Sequence, residues 1–344
     1  MRIYLFFDVG DEMKSQSFKI ENIYLDAVGV IVGKLEHEGP LKKYFNYYID
    51  DLYYDEKTFE LAQIKMSKTA TKIALSHSSY NEDNIDLAIG GDLSNQIYNS
   101  SASISEYCFS NIGIYAACAS MNLAIILASL LINANYIKNC LVYTSSHQAC
   151  AEKQFRYPNE YGIQKCFTNT QTITGATSLV ISKMENKIKI SRATIGRIVD
   201  VNSKNVNDMG SCMAFAAIDT FKIHMENFNL NENDYDYILT GDLSKYGSKV
   251  FFDELSDCGF NLTGKYNDCG LMIYDLKKQK VNAGGSGPAC CPCVTFTYIL
   301  DKLLKKEYKK VLVIATGALH SQISYQQKQT IPCIAHAIEL EVND

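Results

Sequence analysis

Residues 85–96 read IDLAIGGDLSNQ, and residues 235–246 read YDYILTGDLSKY. In each stretch a short apolar run ends in Gly-Asp-Leu-Ser, first at positions 91–94 and again 150 residues later at 241–244. Solenoid units recur at roughly 20–50 residues, so a spacing this long is not a solenoid period. It marks an α/β half used twice, with a site between the copies. A second pair agrees: LVYTSSH at 141–147 is echoed by LVIATGALH at 312–320, 171 residues on.

Outward from the first copy, residues 20–33 read as a strand and residues 56–75 as an amphipathic helix. Residues 85–89 are a short, continuous apolar strand of the buried kind. Residues 112–117 lead into a helix over 119–135 that is apolar nearly all round, which predicts full burial. Strands follow at 139–145, 176–182 and 187–198, with a long polar loop over 146–172. The second half repeats the alternation, with helices at 210–227, 247–258 and 289–306. Its strands fall at 237–239, 271–274, 311–316 and 333–340. Alternation of this kind predicts a largely parallel sheet covered by helices, with ligands at the carboxyl ends of the strands. The division expected is a segment 1–17 that is hard to place, a first half 18–183 and a second half 184–344.

A chain of 344 residues with 47% hydrophobic and 21% charged residues has material for a large core. Its net charge of −5 and scattered basic residues argue against nucleic acid and against bulk attraction to anionic lipid. The N-terminus lacks the pattern of a secretory signal. The longest apolar run, 123–132, is too short to span a bilayer, so any membrane attachment is expected through a partner. Twelve cysteines in a chain of this size fit a reducing, cytoplasmic setting rather than a disulfide scaffold.

Several residues could carry chemistry. Cys118, in IGIYAACASM, precedes the buried helix. There the helix dipole and free N–H groups would lower a thiol pKa and make a nucleophile or an anion-site element. A cysteine is equally at home in a core as a small hydrophobe. Residues 284–293, GGSGPACCPC, put Gly285, Ser286 and Gly287 before another helix, where backbone N–H groups could receive an anion. Cys290, Cys291 and Cys293 lack the second, separated pair that structural zinc uses, so no metal is expected. Ser146 and His147 end one strand, and Thr316 and His320 end or follow its echo. Lys153, Arg156 and Tyr161 lie in a loop that reads as solvated or as a carboxylate clamp. Asp92, Asn95 and Asp242 sit in the two Gly-Asp-Leu-Ser turns, where an aspartate is more often a cap than a catalytic acid.

The ordered strings resemble the thiolase fold and, more narrowly, the stage V sporulation protein AD family. They run from GPLKKYF (39–45) and DDLYYDE (50–56) through GGDLSNQI, GIYAACASM, TSSHQACAEKQFRYPNEYG, TITGA, ATIGRIVD, DCGLMIYD and AGGSG to ATGALHSQISYQQ…IPCIAHAIELE. The resemblance implies two pseudo-repeated α/β halves packed as a layered αβαβα body, with Cys118 at the position of the reactive cysteine. Condensing relatives place a histidine in the loop where this chain has Gly241 and Asp242. They place an asparagine or histidine at the start of the last long helix, where it has residues 287–290. The family is understood to bind dipicolinic acid, pyridine-2,6-dicarboxylate, without a cofactor. It assists uptake of this acid into the developing spore alongside other SpoVA proteins at the spore inner membrane, and the fold commonly forms homodimers. The ligand-binding set expected on this basis is Cys118, Asp92, Asn95, Ser146, His147, Lys153, Arg156, Tyr161, Gly285, Ser286, Gly287, Thr316 and His320. A Cys-dependent acyl-transfer enzyme and an assembly scaffold with a vestigial pocket are the alternatives. Two departures border the expected pocket: Lys165-Cys166-Phe167-Thr168-Asn169 where relatives carry Pro-Pro-Thr-Ala, and GSGPACCPC where they often carry GSGCGCS.

Overall fold

The structure is a computed structural model that describes residues 16–155 and 165–343. Its first half supplies β1 (Gln16–Lys19), β2 (Tyr24–Gly33), β3 (Tyr48–Ile49), β4 (Leu87–Gly91), β5 (Ser110–Gly113), β6 (Asn139–Ser146), β7 (Gln171–Thr172) and β8 (Gly175–Ser182). The second supplies β9 (Ile188–Ile195), β10 (Tyr237–Thr240), β11 (Tyr266–Asp268), β12 (Gly285–Ser286), β13 (Lys310–Ala318) and β14 (Cys333–Val342). The main strands lie in the order β5-β4-β6-β8-β2 and then β9-β14-β13-β10-β11. Taking five strands per half in chain order, both halves run third, second, fourth, fifth, first. The two sets meet through a single bridge between Tyr24 and Lys189.

Both pairs of repeated strings fall on equivalent strands. The Gly-Asp-Leu-Ser turns end β4 and follow β10, the second main strand of each half. LVYTSSH runs along β6 into the residue after it, and LVIATGALH runs along β13 and beyond, on the fourth strand. The sheets are mixed rather than largely parallel. β4 is parallel to β5 and β6, as β10 is to β11 and β13, but β8 and β14 run antiparallel to their neighbours. A parallel neighbour needs a long crossover, whereas an antiparallel one needs only a return path. Only the short helices Gln148–Phe155 and Gln322–Gln326 and the two-residue β7 lie on the way to β8 and β14 among the described residues.

Helix Ser120–Asn133 is wedged between the sheets and touches β4, β6 and β8 of one half and β9, β13 and β14 of the other. One apolar cluster joins it to both sheets and to the helical stretch 290–304. That position accounts for its all-round apolar sequence: Ile125, Ile126 and Ile132 are fully buried, each stabilising by about 2 kcal/mol. Helix Phe59–His77, capped by the Thr58 hydroxyl accepting from Leu61 N, covers the outer face of the first sheet. Helices Met209–Phe228 and Ser244–Asp257 pack together over the second, against a separate outer cluster. The result is the five-layer αβαβα body.

Five local expectations change. The stretch 146–172 contains helix Gln148–Phe155 and the short β7. Residues 271–274 are not a strand: the chain makes helix Cys269–Met272, started by Asp268 accepting from Gly270 N, and the strand is β11 just before it. Four apolar residues are too few for periodicity to separate the two. The last long helix runs as Cys290–Val294, a π turn Thr295–Ile299 and Leu300–Leu304. The strand expected over 187–198 stops at Ile195, and residues 16 and 17 already belong to β1, paired with β9.

Candidate functional site

After β5 the chain turns sharply at 116–119. Ala117 has φ +47°, a left-handed conformation that costs a residue with a side chain about 1 kcal/mol. The turn is held from both sides. The Ser120 hydroxyl donates to Ala117 O at 2.7 Å and accepts from Ala116 N at 3.1 Å. Across the interface, Gly317 of β13 packs on the turn so closely that a Cβ there would lie 2.4 Å from Ala116 O. The Asn122 amide donates to Val313 O at 3.1 Å and His336 O at 3.0 Å, fixing the start of the central helix to the second half. These contacts place Cys118 at the floor of a cavity between the halves.

Asp242 stands over the thiol. It is 1% exposed, and Cys118 hydrogen-bonds its carboxyl. Oδ1 also accepts from the Thr316 hydroxyl at 2.7 Å, and Oδ2 accepts from Gly287 N at 3.0 Å. Burial raises the Asp242 pKa to about 6, with the hydrogen bonds from Thr316, Cys118 and Gly287 holding it back. Burial likewise pushes the Cys118 thiol well above its ordinary value, and the Asp242 carboxyl pushes it further. The lowered thiol pKa expected from a helix N-terminus is therefore overturned. Desolvation and a neighbouring acid outweigh the dipole. The glycine-rich turn is not an open anion receptor at Gly287 either, because that N–H is committed to Asp242. Gly287 itself has φ +104°, and a Cβ would press within 3.1 Å of Ser146 Oγ.

The cavity holds about 330 Å³. Helix Gln148–Phe155 gives it Glu152 and Phe155, the segment 168–172 gives Thr170, and the start of helix Met209–Phe228 gives Met209 and Met213. Asn207, Tyr115 and Tyr325 complete much of the wall. Glu152 is paired with Lys165 at 2.9 Å. The His320 ring lies between Phe155 and Tyr325, with centroids at 6.1 and 6.3 Å, and burial lowers its pKa. Among the described residues no hydrogen bond joins His320 to Cys118.

Of the ligand-binding set expected from the sequence, Cys118, Ser286, Gly287 and His320 line the cavity. Thr316 reaches it only through Asp242. The others serve the fold. Asp92 accepts Ser94 N at 2.5 Å and Ser100 N at 2.6 Å, and the Asn95 side chain accepts from Gln154. Ser146 donates to Ile173 O, and the Gly285 carbonyl accepts from Ser244 Oγ. His147 Nε2 is bonded to Leu52 O at 2.8 Å while its ring stacks on Phe59, so it does not reach the thiol. Lys153 is turned outward onto Glu60 at 2.5 Å. Arg156 and Tyr161 lie outside the described residues. Cys290, Cys291 and Cys293 are buried in the apolar core, and no group of metal-ligating residues forms among the described residues. The residue sequence reasoning undervalued is Asp242. Its signal was present: it stands in the loop where the resemblance places a histidine.

The five-layer body with a cysteine elbow between two like halves defines a thiolase-like protein. Solved structures agree in fold: a point variant of OleA from Xanthomonas campestris superposes with a TM-score of 0.62 at 13% identity, covering 94% of this chain and 98% of that one. Cerulenin-bound OleA from a soaked crystal gives 0.62 at 13%, covering 93% and 98%. Within that class, the chain belongs to the Stage V sporulation protein AD family, whose pattern it matches over residues 14–341. It is 40% identical over 319 residues to Stage V sporulation protein AD of Bacillus subtilis (strain 168), covering 93% of this chain and 94% of that protein.

Proposed function

We propose that this sporulation-family chain binds dipicolinic acid in the cavity between its halves without turning it over. In this reading it supports uptake of the acid into the developing spore within the SpoVA complex. One observation carries the non-catalytic part: the thiol is paired with a carboxyl, not an imidazole. An acyl-transfer nucleophile needs a base that takes its proton and donors that receive the oxyanion. Here burial and Asp242 both keep the proton on sulfur. The cavity is nonetheless retained, at the lower end of the roughly 300–1,000 Å³ usual for small-molecule pockets. Phe155, Tyr115 and Tyr325 supply aromatic side chains to the wall that a planar pyridine would meet, and Thr170, Asn207, Ser286 and His320 supply hydrogen-bonding groups. Calorimetry with dipicolinate on the purified protein tests this. Saturable binding weakened by His320→Ala and Asn207→Ala is expected; absence of binding sinks it.

No helix among the described residues is long and apolar enough to cross a membrane, so attachment at the spore inner membrane is assigned to partner SpoVA proteins. A homodimer contact is assigned to β5, an edge strand whose four residues are all exposed. A second reading, acyl transfer, draws on one observation: Cys118 and His320 open onto the same cavity. Mass spectrometry after incubation with acyl-CoA separates the two, since only the second reading predicts an acyl group on Cys118.

A further inference from the structure

The proposed ligand carries two carboxylates, and the described wall of its cavity includes two acids. Glu152 is neutralised by Lys165. Asp242 is not: its hydrogen bonds come from the neutral donors Thr316, Gly287 and Cys118, and no Lys or Arg among the described residues pairs with it. The groups facing it from the surrounding elements offer no fixed cation. The elbow contributes Cys118 and the last long helix Cys290; β11 contributes the Asp268 carboxyl and β14 contributes Cys333. Across the cavity stand His320, Tyr115, Tyr325 and the neutralised Glu152. An anion entering beside an ionised, buried Asp242 would meet a like charge with little water between to screen it.

Resting on the dipicolinate reading above, we infer that Asp242 is the specificity-determining acid of this cavity. It carries a proton whenever the cavity holds an anion, so anion binding takes up that proton from solution. In the unliganded protein Asp242 is held at a pKa of about 6, so near neutral pH most molecules must acquire the proton on binding. The proton goes to a carboxylate oxygen, and no bond in the ligand changes. The carboxylates of the ligand are ordinary acids, ionised throughout this range. Affinity then falls with rising pH, approaching tenfold per unit above pH 6. The site loads its anion on the acidic side and releases it on the alkaline side.

Calorimetry with dipicolinate, repeated in non-phosphate buffers of different ionisation heat, reads the proton count directly. The expected result is uptake approaching one proton per ligand at pH 7.5 and close to none at pH 5. Asp242→Asn should bind with an affinity that no longer falls with pH and with no uptake. Asn keeps the shape, and its amide can still accept from Gly287 N while the Thr316 hydroxyl turns to receive the NH₂ group. His320→Gln separates the other candidate: uptake that survives Asp242→Asn and disappears in His320→Gln overturns the inference. So does wild-type binding with no proton uptake at any pH. Absence of binding even at pH 5 overturns the dipicolinate reading itself, a distinct failure. Should Asp242→Asn not fold, the pH profile of wild-type affinity still decides: a flat profile overturns the inference.

Discussion

The two Gly-Asp-Leu-Ser turns share four letters, yet their aspartates do unlike work. In the first half Asp92 bends back on its own loop and accepts Ser94 N and Ser100 N. In the second half the donor that corresponds to Ser94 N, Ser244 N, is taken instead by Asp268 from the neighbouring strand at 2.8 Å, together with the adjacent Leu243 N at 2.9 Å. Asp268 also receives the Thr240 hydroxyl and Gly270 N. Relieved of capping, Asp242 turns to the interface and meets Cys118, Thr316 and Gly287. One structural task is passed between strands, and a side chain is freed for the cavity. A duplicated turn can keep its sequence while its polar group changes use, provided another residue satisfies the backbone.

The contrast can be broken most forcefully at Asp268. Asp268→Ala orphans four donors and should cost about 3–4 kcal/mol in urea unfolding, against about 2 kcal/mol for Asp92→Ala, which orphans two. Equal costs would refute the transfer of the capping task. Next comes pH. An acid whose folded pKa is raised from 3.8 to about 6 binds its proton more tightly when folded, so its stabilisation is lost as pH rises through 6. Between pH 5 and pH 8 the wild type should lose about 1.5 kcal/mol more stability than Asp242→Asn. Asp268, raised by burial to about 7, titrates in both proteins, so only the smaller part of its shift that the Asp242 charge causes adds to the difference. A third measurement sharpens the pairing at the thiol. Alkylation of Cys118 by a small neutral reagent should be slow at pH 8 and faster in Asp242→Asn, because that change removes the carboxyl that, after burial, holds the thiol pKa up. Equal rates would mean the carboxyl does not act on the sulfur. The smallest effect belongs to Lys153→Ala, which removes an exposed ion pair with Glu60 worth about 0.5 kcal/mol and should leave dipicolinate affinity unchanged.

The repeat made the architecture legible, because it fell on β4 and β10 and on β6 and β13, equivalent strands in the two halves. The all-round apolar run at 119–135 likewise announced a fully buried helix, found at Ser120–Asn133 between the two sheets. The sequence placed Cys118, Ser286, Gly287 and His320 where they line the cavity, but the anion-receiving role expected of the Gly287 N–H fails, because Asp242 takes it. Cys118 was located correctly but its protonation was misread. The deciding group, Asp242, lies 124 positions away in the chain and comes beside the thiol only when the halves close. His147 and Lys153 looked functional because strand ends and loops often are. Their partners, Leu52 O and Glu60, sit 95 and 93 residues earlier and gave no local sign.

The Asn122 amide spans 191 residues to Val313 and 214 to His336. At roughly 5–20 residues per second of synthesis, the second of those partners emerges roughly 10–40 s after Asn122 itself. Through that interval the nascent first half has its central helix covered on one side only, with Ile125 and its neighbours awaiting a sheet still to be translated. The cysteine elbow, braced by Gly317, is therefore among the last features of the molecule to set. A ribosome stalled before β13 would hold a chain with a sticky apolar face and a cavity lacking Ala318, His320 and Tyr325 from its wall.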